Sequence, residues 1–357
     1  MSLSVGLLST LSQGPDREVW RILVERALEI ASRPLTADSA AKEVARRDRE
    51  IGELDLFLSS SGWDLWQSFG QPENGGFEAE NKGIEPITDG VERANGSVER
   101  TSERLIRWWA ESFGAKAVLI LDGLSLRELP WLLQGAKARG FTLHEIGASA
   151  SELPGETDEF ARALGFSGRS QLQNNGARSH KLQPARTEAV NLPWKDCAAL
   201  VNNELNQIFW HHWPDVKLHD GSGAGQGLEP LTQDAAAQLC SEDFWGFVAR
   251  LATGRRLVIT SDHGYAASGL FADAEDKVGQ FLKQTFASGR NRAEAPSTSG
   301  DRGPFAPPVA LRISNAQGTH LMALGRRKWR SQGGYPTLTH GGLSLLEVLS
   351  PFVELTR

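Results

Sequence analysis

The sequence predicts an α/β fold, a mostly parallel central sheet with helices on both faces, preceded by a helical layer. Three observations predict it. Short, largely apolar runs at 117–121 (AVLIL) and 256–260 (RLVIT) have the length and composition of strands buried on both faces. Stretches with helical spacing separate such runs, as crossovers in a parallel sheet require. The first hundred residues show helical periodicity and no strand pattern.

Residues 17–32 repeat apolar side chains at Trp20, Leu23, Val24, Ala27 and Leu28, the three-and-four spacing of one helix face. Helical patterns return near 38–58 and 99–112. Between them, 69–95 is rich in Gly, Asn, Glu and Pro, has no period and is expected to be an exposed loop. Residues 1–112 are therefore expected to form a helical accessory or cap region, and 113–357 the main domain. There the run at 117–121 stops in Asp122-Gly123, Leu126 to Ala138 reads as a helix, and Phe141 to Ile146 as a second strand. Arg256 to Thr260 is a further strand, and Val309–Ile313 with His320–Leu324 a late hairpin or neighbouring strands. The Pro-, Ser- and Gly-rich stretch 288–308 is expected to be a disordered insertion.

Lys and Arg total 38 against 44 Asp and Glu, a net charge of −6, which argues against coating nucleic acid through bulk charge. No apolar run approaches the roughly 18–20 residues that span a bilayer. The first residues carry no basic segment and meet Asp16 and Glu18 before any long apolar stretch, so neither a membrane span nor a signal peptide is expected. The two cysteines, Cys197 and Cys240, have no CxxC spacing and suit packed thiols in a cytoplasmic, reducing compartment.

Four segments place metal-binding side chains where elements should begin or end. Asp122-Gly123 closes the first strand; alone it reads as a turn. Ser261-Asp262-His263-Gly264 closes another buried run, where a helix-capping Asp beside a surface His is the plain alternative. Pro214-Asp215 with His219 four residues on puts a carboxylate and an imidazole on one face of a helical turn, a ligand set for zinc or manganese or an ordinary surface turn. Thr339-His340-Gly341-Gly342 precedes Ser344 and Glu347, a capping box that starts a helix at Leu345 with His340 in the loop before it. Together, Asp122, Asp215, His219, Asp262, His263 and His340 offer six donors without a thiolate. That is what a pair of divalent ions bridged by a phosphoryl group would need.

These segments resemble the alkaline phosphatase superfamily and, within it, the PglZ family. SDHG followed by THGG-LS-x-x-E-V carries the family resemblance. PD-x-x-x-H matches the metal motif of the superfamily's mutase and phosphodiesterase branches, and Asp122 to Glu128 resembles the first PglZ signature. The resemblance covers about 116–357 and implies an alkaline phosphatase-like sandwich. It implies one ion on Asp122, Asp262 and His263 with the nucleophile, and another on Asp215, His219 and His340, zinc favoured and manganese possible. Leu153-Pro154-Gly155-Glu156-Thr157 fits the family's Leu-Pro-Ser-x-Thr except at Gly155, which implies Thr157 as the nucleophile. Read from the residues alone, Thr157 equally caps a helix beginning at Asp158; Ser149, Ser151 and Ser125 are the fallbacks. Glu156 beside it would repel a phosphate if it pointed inward.

The implied activity is a two-metal phosphohydrolase, a phosphodiesterase on nucleotide or nucleic-acid phosphodiesters working through a phospho-threonine. The implied setting is bacterial phage defence or signalling, with protein partners in a defence complex. A phosphomonoesterase or phosphomutase, or a non-catalytic metal-binding partner protein, are the alternatives. Sulfatase chemistry is excluded, since neither cysteine stands in a Cys/Ser-x-Pro-x-Arg context. Gly325 to Arg330 places four cations around Trp329, a grip for a phosphodiester backbone or a solvated strand end. Arg169, Asn174, Asn175, Arg178 and His180 are candidates for phosphate contact, and Trp210 and Trp213 favour a packing role for His211 and His212 over a supporting one at the metal site.

Overall fold

The two central apolar runs pair side by side in the computed structural model, which describes residues 15–36, 39–69, 98–112, 114–220, 227–295, 304–331 and 338–357. The described strands of four residues or more are β1 (Lys116–Leu121), β2 (Thr142–Ala150), β3 (Arg186–Val190), β4 (Gln207–His211), β5 (Arg256–Thr260), β6 (Asn291–Glu294), β7 (Ala310–Asn315), β8 (Gly318–Ala323) and β9 (Leu349–Thr356). Six of them form the main sheet in the order β2-β9-β5-β1-β4-β3. β5, β1, β4 and β3 are mutually parallel, and β9 runs antiparallel to both β5 and β2. The fold is thus α/β with a mostly parallel central sheet.

Side chains alternate between two buried faces, which is why the strands read as unbroken apolar runs. Ala117, Leu119 and Leu121 join one core with Phe209, Leu257 and Ile259, while Val118 and Ile120 join a second with Trp210, Val258 and Phe352. The first core is closed by the helices Asp16–Ser32 and Ala40–Ser60, through Trp20, Leu23, Ile51 and Leu54, and by Leu129–Ala138 and Glu242–Ala252. Ser39 caps the second of these helices by accepting from the Lys42 N–H at 3.2 Å. The second core is closed by Thr101–Ala110, through Leu105, Trp108 and Trp109, and by Phe160 of the helix Thr157–Ala163. The single N-terminal layer expected from the sequence is therefore divided between the two faces of the sheet.

Helix Ala40–Ser60 is tied to the sheet by buried charge. Asp48 pairs with Arg127 at 2.6 Å and with Arg326, and Asp55 pairs with Arg326 at 2.6 Å and accepts from the Leu345 N–H at 2.8 Å. Trp329 is buried and donates to the Ala287 carbonyl at 2.9 Å, while half-buried Arg326 is committed to Asp48 and Asp55, so the grip suggested by 325–330 loses its first cation to these carboxylates and its aromatic ring to the interior.

Three other expectations change. β9, with Pro351 inside a central strand, has no counterpart in the sequence reading, and neither do β3 and β4. The expected insertion at 288–308 carries β6 at its start, paired antiparallel with β8, because Arg290 is drawn inside to Glu347 at 2.7 Å; 296–303 lie outside the described residues. Of the loop at 69–95, only Phe69 is described, and it is fully buried against Trp20 and Trp66. The late hairpin is present as β7 and β8.

Candidate active site

Parallel register brings the first two aspartates together. Ile120 pairs with Thr260 and Leu121 with His211, so the positions just beyond the strand ends, His212, Asp122 and Asp262, lie in one row across β4, β1 and β5. The Asp122 N–H continues the ladder to the His211 carbonyl at 3.0 Å, and Asp262 Oδ1 accepts from the Gly123 N–H at 2.9 Å. His263 follows, and its ring is fixed by Nδ1 on the Gly264 carbonyl at 2.9 Å. A Cβ at Gly264 would lie 2.2 Å from the Leu346 carbonyl oxygen, so glycine allows this turn to dock backbone to backbone on the C-terminal motif. Gly264 and Tyr265 donate there to Glu347 and Leu346, each at 2.9 Å.

The C-terminal loop is held by Glu347, which is fully buried. Its carboxylate accepts from the Gly342 N–H at 2.8 Å, the Ser344 hydroxyl at 2.6 Å and Arg290 Nε at 2.7 Å. Ser344 and Glu347 do meet, but the carboxylate braces the glycine loop instead of closing a reciprocal cap. The helix it precedes is one turn, Leu345–Val348, running straight into β9. His340 leaves this loop with Nδ1 on the Gly155 carbonyl at 2.9 Å and stacks on His263, ring centroids 4.2 Å apart.

Asp215 opens the short helix Asp215–Asp220, and its N–H donates to the Asp122 carbonyl at 2.9 Å. Two groups of donor atoms result, each within 4.8 Å of one another: Asp122, Asp262 and His263, and Asp215, His263 and His340. His263 belongs to both. His219 stands one step outward, its side chain 67% exposed, with Nε2 3.3 Å from Asp215 Oδ2 and its ring 5.8 Å from that of His340. Burial pushes the Asp215 carboxyl up, but the His219 hydrogen bond and the charge of His263 outweigh it and hold the group below the usual carboxylate range. Burial lowers the proton affinity of His340, aided by neighbouring His263. Asp215 Oδ1 and His263 Nε2 are buried without a hydrogen-bond partner, an arrangement that disfavours itself unless a cation is shared among these donors.

Thr157 is the first residue of helix Thr157–Ala163, with Glu156 in the capping position and no side-chain cap. Its hydroxyl lies 3.2 Å from Asp122 Oδ1 and 3.0 Å from Asp262 Oδ2, so it faces the carboxylates and not the helix end. The fallback serines Ser125, Ser149 and Ser151 are buried, Ser149 bonded to the Thr101 hydroxyl at 2.8 Å and Ser125 donating to the Leu346 carbonyl at 3.3 Å.

A cleft of about 1050 Å³ opens over Thr157, Asp215, His219 and His340. Arg169 lines it and pairs with Asp122 Oδ2; Asn174 lines it too, whereas Asn175 accepts from the Thr187 N–H at 3.1 Å and His180 packs on Phe166. His211 is a packing residue, its ring tilted against Trp194 with centroids 4.1 Å apart. His212, grouped with it by the sequence, lines the cleft instead. Its place follows from even-numbered alternation with Trp210, a signal that required knowing that 207–211 is a strand.

No family model and no curated protein matches the sequence. Among solved structures, murine ectonucleotide pyrophosphatase/phosphodiesterase 5, as an inactive variant in complex with AMP, is similar with a TM-score of 0.44 and 12% identity over 68% of this chain and 88% of that one. A second structure of the same murine protein gives 0.43 and 12% over 67% and 87%.

Proposed function

We propose that this chain is a two-metal phosphohydrolase, a phosphodiesterase acting on nucleotide or nucleic-acid phosphodiesters through a phospho-threonine at Thr157. The observation that carries the reading is the Thr157 hydroxyl beside the Asp122 and Asp262 carboxylates at the base of a cleft, next to two buried donor atoms without partners. Asp122, Asp262 and His263 would hold one divalent ion and Asp215, His219 and His340 the other, with His263 between them. Three imidazoles and three carboxylates suit zinc first and manganese second. Bound there, such ions supply Lewis acidity and neutralise phosphoryl oxygens.

The chain's own residues do the rest. Thr157 Oγ1, its proton lost to solvent, attacks phosphorus in line, forming an O–P bond as the bond to the leaving alkoxide breaks, and the alkoxide takes up a proton from water. Arg169 turns from Asp122 to a phosphoryl oxygen, and water then cleaves the phospho-threonine. Every proposed ligand falls in 113–357, which we take as the catalytic part, with the preceding helices as its support. The likeness of SDHG and THGG-LS-x-x-E-V to PglZ proteins supports a cytoplasmic role in phage defence or signalling beside protein partners. No described helix is long and apolar enough to cross a membrane.

The test is hydrolysis of bis(nitrophenyl) phosphate, nitrophenyl phosphate, DNA and cyclic oligonucleotides with Zn²⁺ or Mn²⁺ present. Diester turnover that vanishes in Thr157→Ala is expected. Folded, metal-loaded protein that cleaves none of them would reject the reading.

A further inference from the structure

A fourth carboxylate stands at the reacting end of the cleft, and it is held in place. Glu156 immediately precedes Thr157 and lines the same cleft. Its Oε1 accepts from Asn291 Nδ2 at 2.6 Å, and its Oε2 lies 3.5 Å from His340 Nδ1. The space for this arrangement is built into the neighbouring loop. A Cβ at Gly341 would come within 2.2 Å of Asn291 Nδ2 and 2.7 Å of Glu156 Oε1, and Gly341 has φ +89°. A side chain there would displace both partners. Asn291 begins β6, in the segment whose composition suggests disorder, and its pairing with β8 fixes the donor that orients Glu156.

We propose that Glu156, aimed by Asn291, is a specificity determinant that favours a singly charged phosphodiester over a doubly charged phosphomonoester; this rests on the phosphohydrolase reading above. The argument is one of charge. Asp122, Asp215, Asp262 and Glu156 put four negative charges around the Thr157 hydroxyl, which two divalent ions would offset, leaving Arg169 as the cation for the substrate there; Asp158, Glu159, Glu188 and Arg162 also line the cleft and leave no cation in surplus. A diester monoanion needs only that one cation. A monoester dianion brings a second charge, which meets the Glu156 carboxylate. Removing the Glu156 charge relieves that repulsion.

Glu156→Gln keeps an oxygen for Asn291 and deletes only the charge. At saturating metal, with metal content measured on each protein, kcat/KM is determined for nitrophenyl phosphate and for bis(nitrophenyl) phosphate. The affinity of inorganic phosphate is measured by calorimetry. The monoester-to-diester ratio should rise about tenfold or more in Glu156→Gln, and phosphate should bind about tenfold tighter. Asn291→Ala, which frees the carboxylate, should move both quantities part of the way. An unchanged ratio together with unchanged phosphate affinity overturns the role of Glu156 while leaving the phosphohydrolase intact. If the wild type cleaves neither ester, the phosphohydrolase reading falls, and the phosphate arm alone decides whether Glu156 sets the anion charge that the cleft accepts.

Discussion

Asp262 Oδ1 accepts the Gly123 N–H at 2.9 Å, so the aspartate ending one parallel strand is locked to the turn that follows Asp122 on its neighbour. The two carboxylates are thereby spaced by sheet register, with the Thr157 hydroxyl between them at 3.2 and 3.0 Å. A position set by backbone pairing is rigid, which is what a reacting hydroxyl requires.

Replacing Thr157 with Ala should lower diester hydrolysis by on the order of 10³-fold or more, as loss of a covalent nucleophile does. Because the hydroxyl caps nothing, stability should change by less than about 1 kcal/mol. Thr157→Ser should retain measurable turnover. Steady-state kinetics with urea unfolding of the same proteins checks both statements; a wild-type rate in Thr157→Ala removes Thr157 from the chemistry.

His263 is common to both donor groups, whereas His219 stands at the exposed rim. The wild type should hold about two divalent ions. His263→Ala should lose most of both, and His219→Ala should keep more than half of the total. Elemental analysis after dialysis distinguishes them, and equal losses from the two variants would contradict a shared His263.

Asp48→Ala should destabilise the fold by about 3–5 kcal/mol, because Arg127 and Arg326 would both lose a partner in the interior. A truncation that begins at 113 removes Asp48 and Asp55 along with the apolar faces of two helices and should fail to fold. Circular dichroism of the truncated chain checks it. A cooperative, metal-binding fragment would show the helices to be a detachable cap.

Burial pushes the proton affinity of His211 down to about 4, well below that of an exposed imidazole. The unfolded state therefore binds more protons than the folded one between about pH 6.5 and 4, so this contribution is full above the upper limit and is lost as pH falls through the window. The shift corresponds to about 3 kcal/mol. Urea unfolding at pH 7, 5.5 and 4.5 should show a shallower decline in His211→Gln than in the wild type. Parallel declines would mean that His211 titrates normally.

What the sequence determined by itself is burial and where it stops. The runs at 117–121 and 256–260 are apolar on both faces, and each ends abruptly in polar side chains, Asp122 and Asp262-His263, that stay buried, so these ligand candidates were legible locally. The glycines and the Ser344–Glu347 pair likewise located His340 in a loop. Neighbour relations are what only the tertiary structure decided. Register across β4, β1 and β5 put His212 in the row of the two aspartates, and β9 entered the sheet despite Pro351 because Phe352, Val353 and Leu355 fill its two cores. Arg326, in a stretch that reads as a charged surface, is half-buried because Asp55 and Asp48, 271 and 278 residues away, neutralise it. Asn291 reaches Glu156 across 135 residues in the same way. The physical reason is common to all of these: periodicity along the chain records whether a side chain meets water, while its partner is chosen by packing between segments that no local pattern relates.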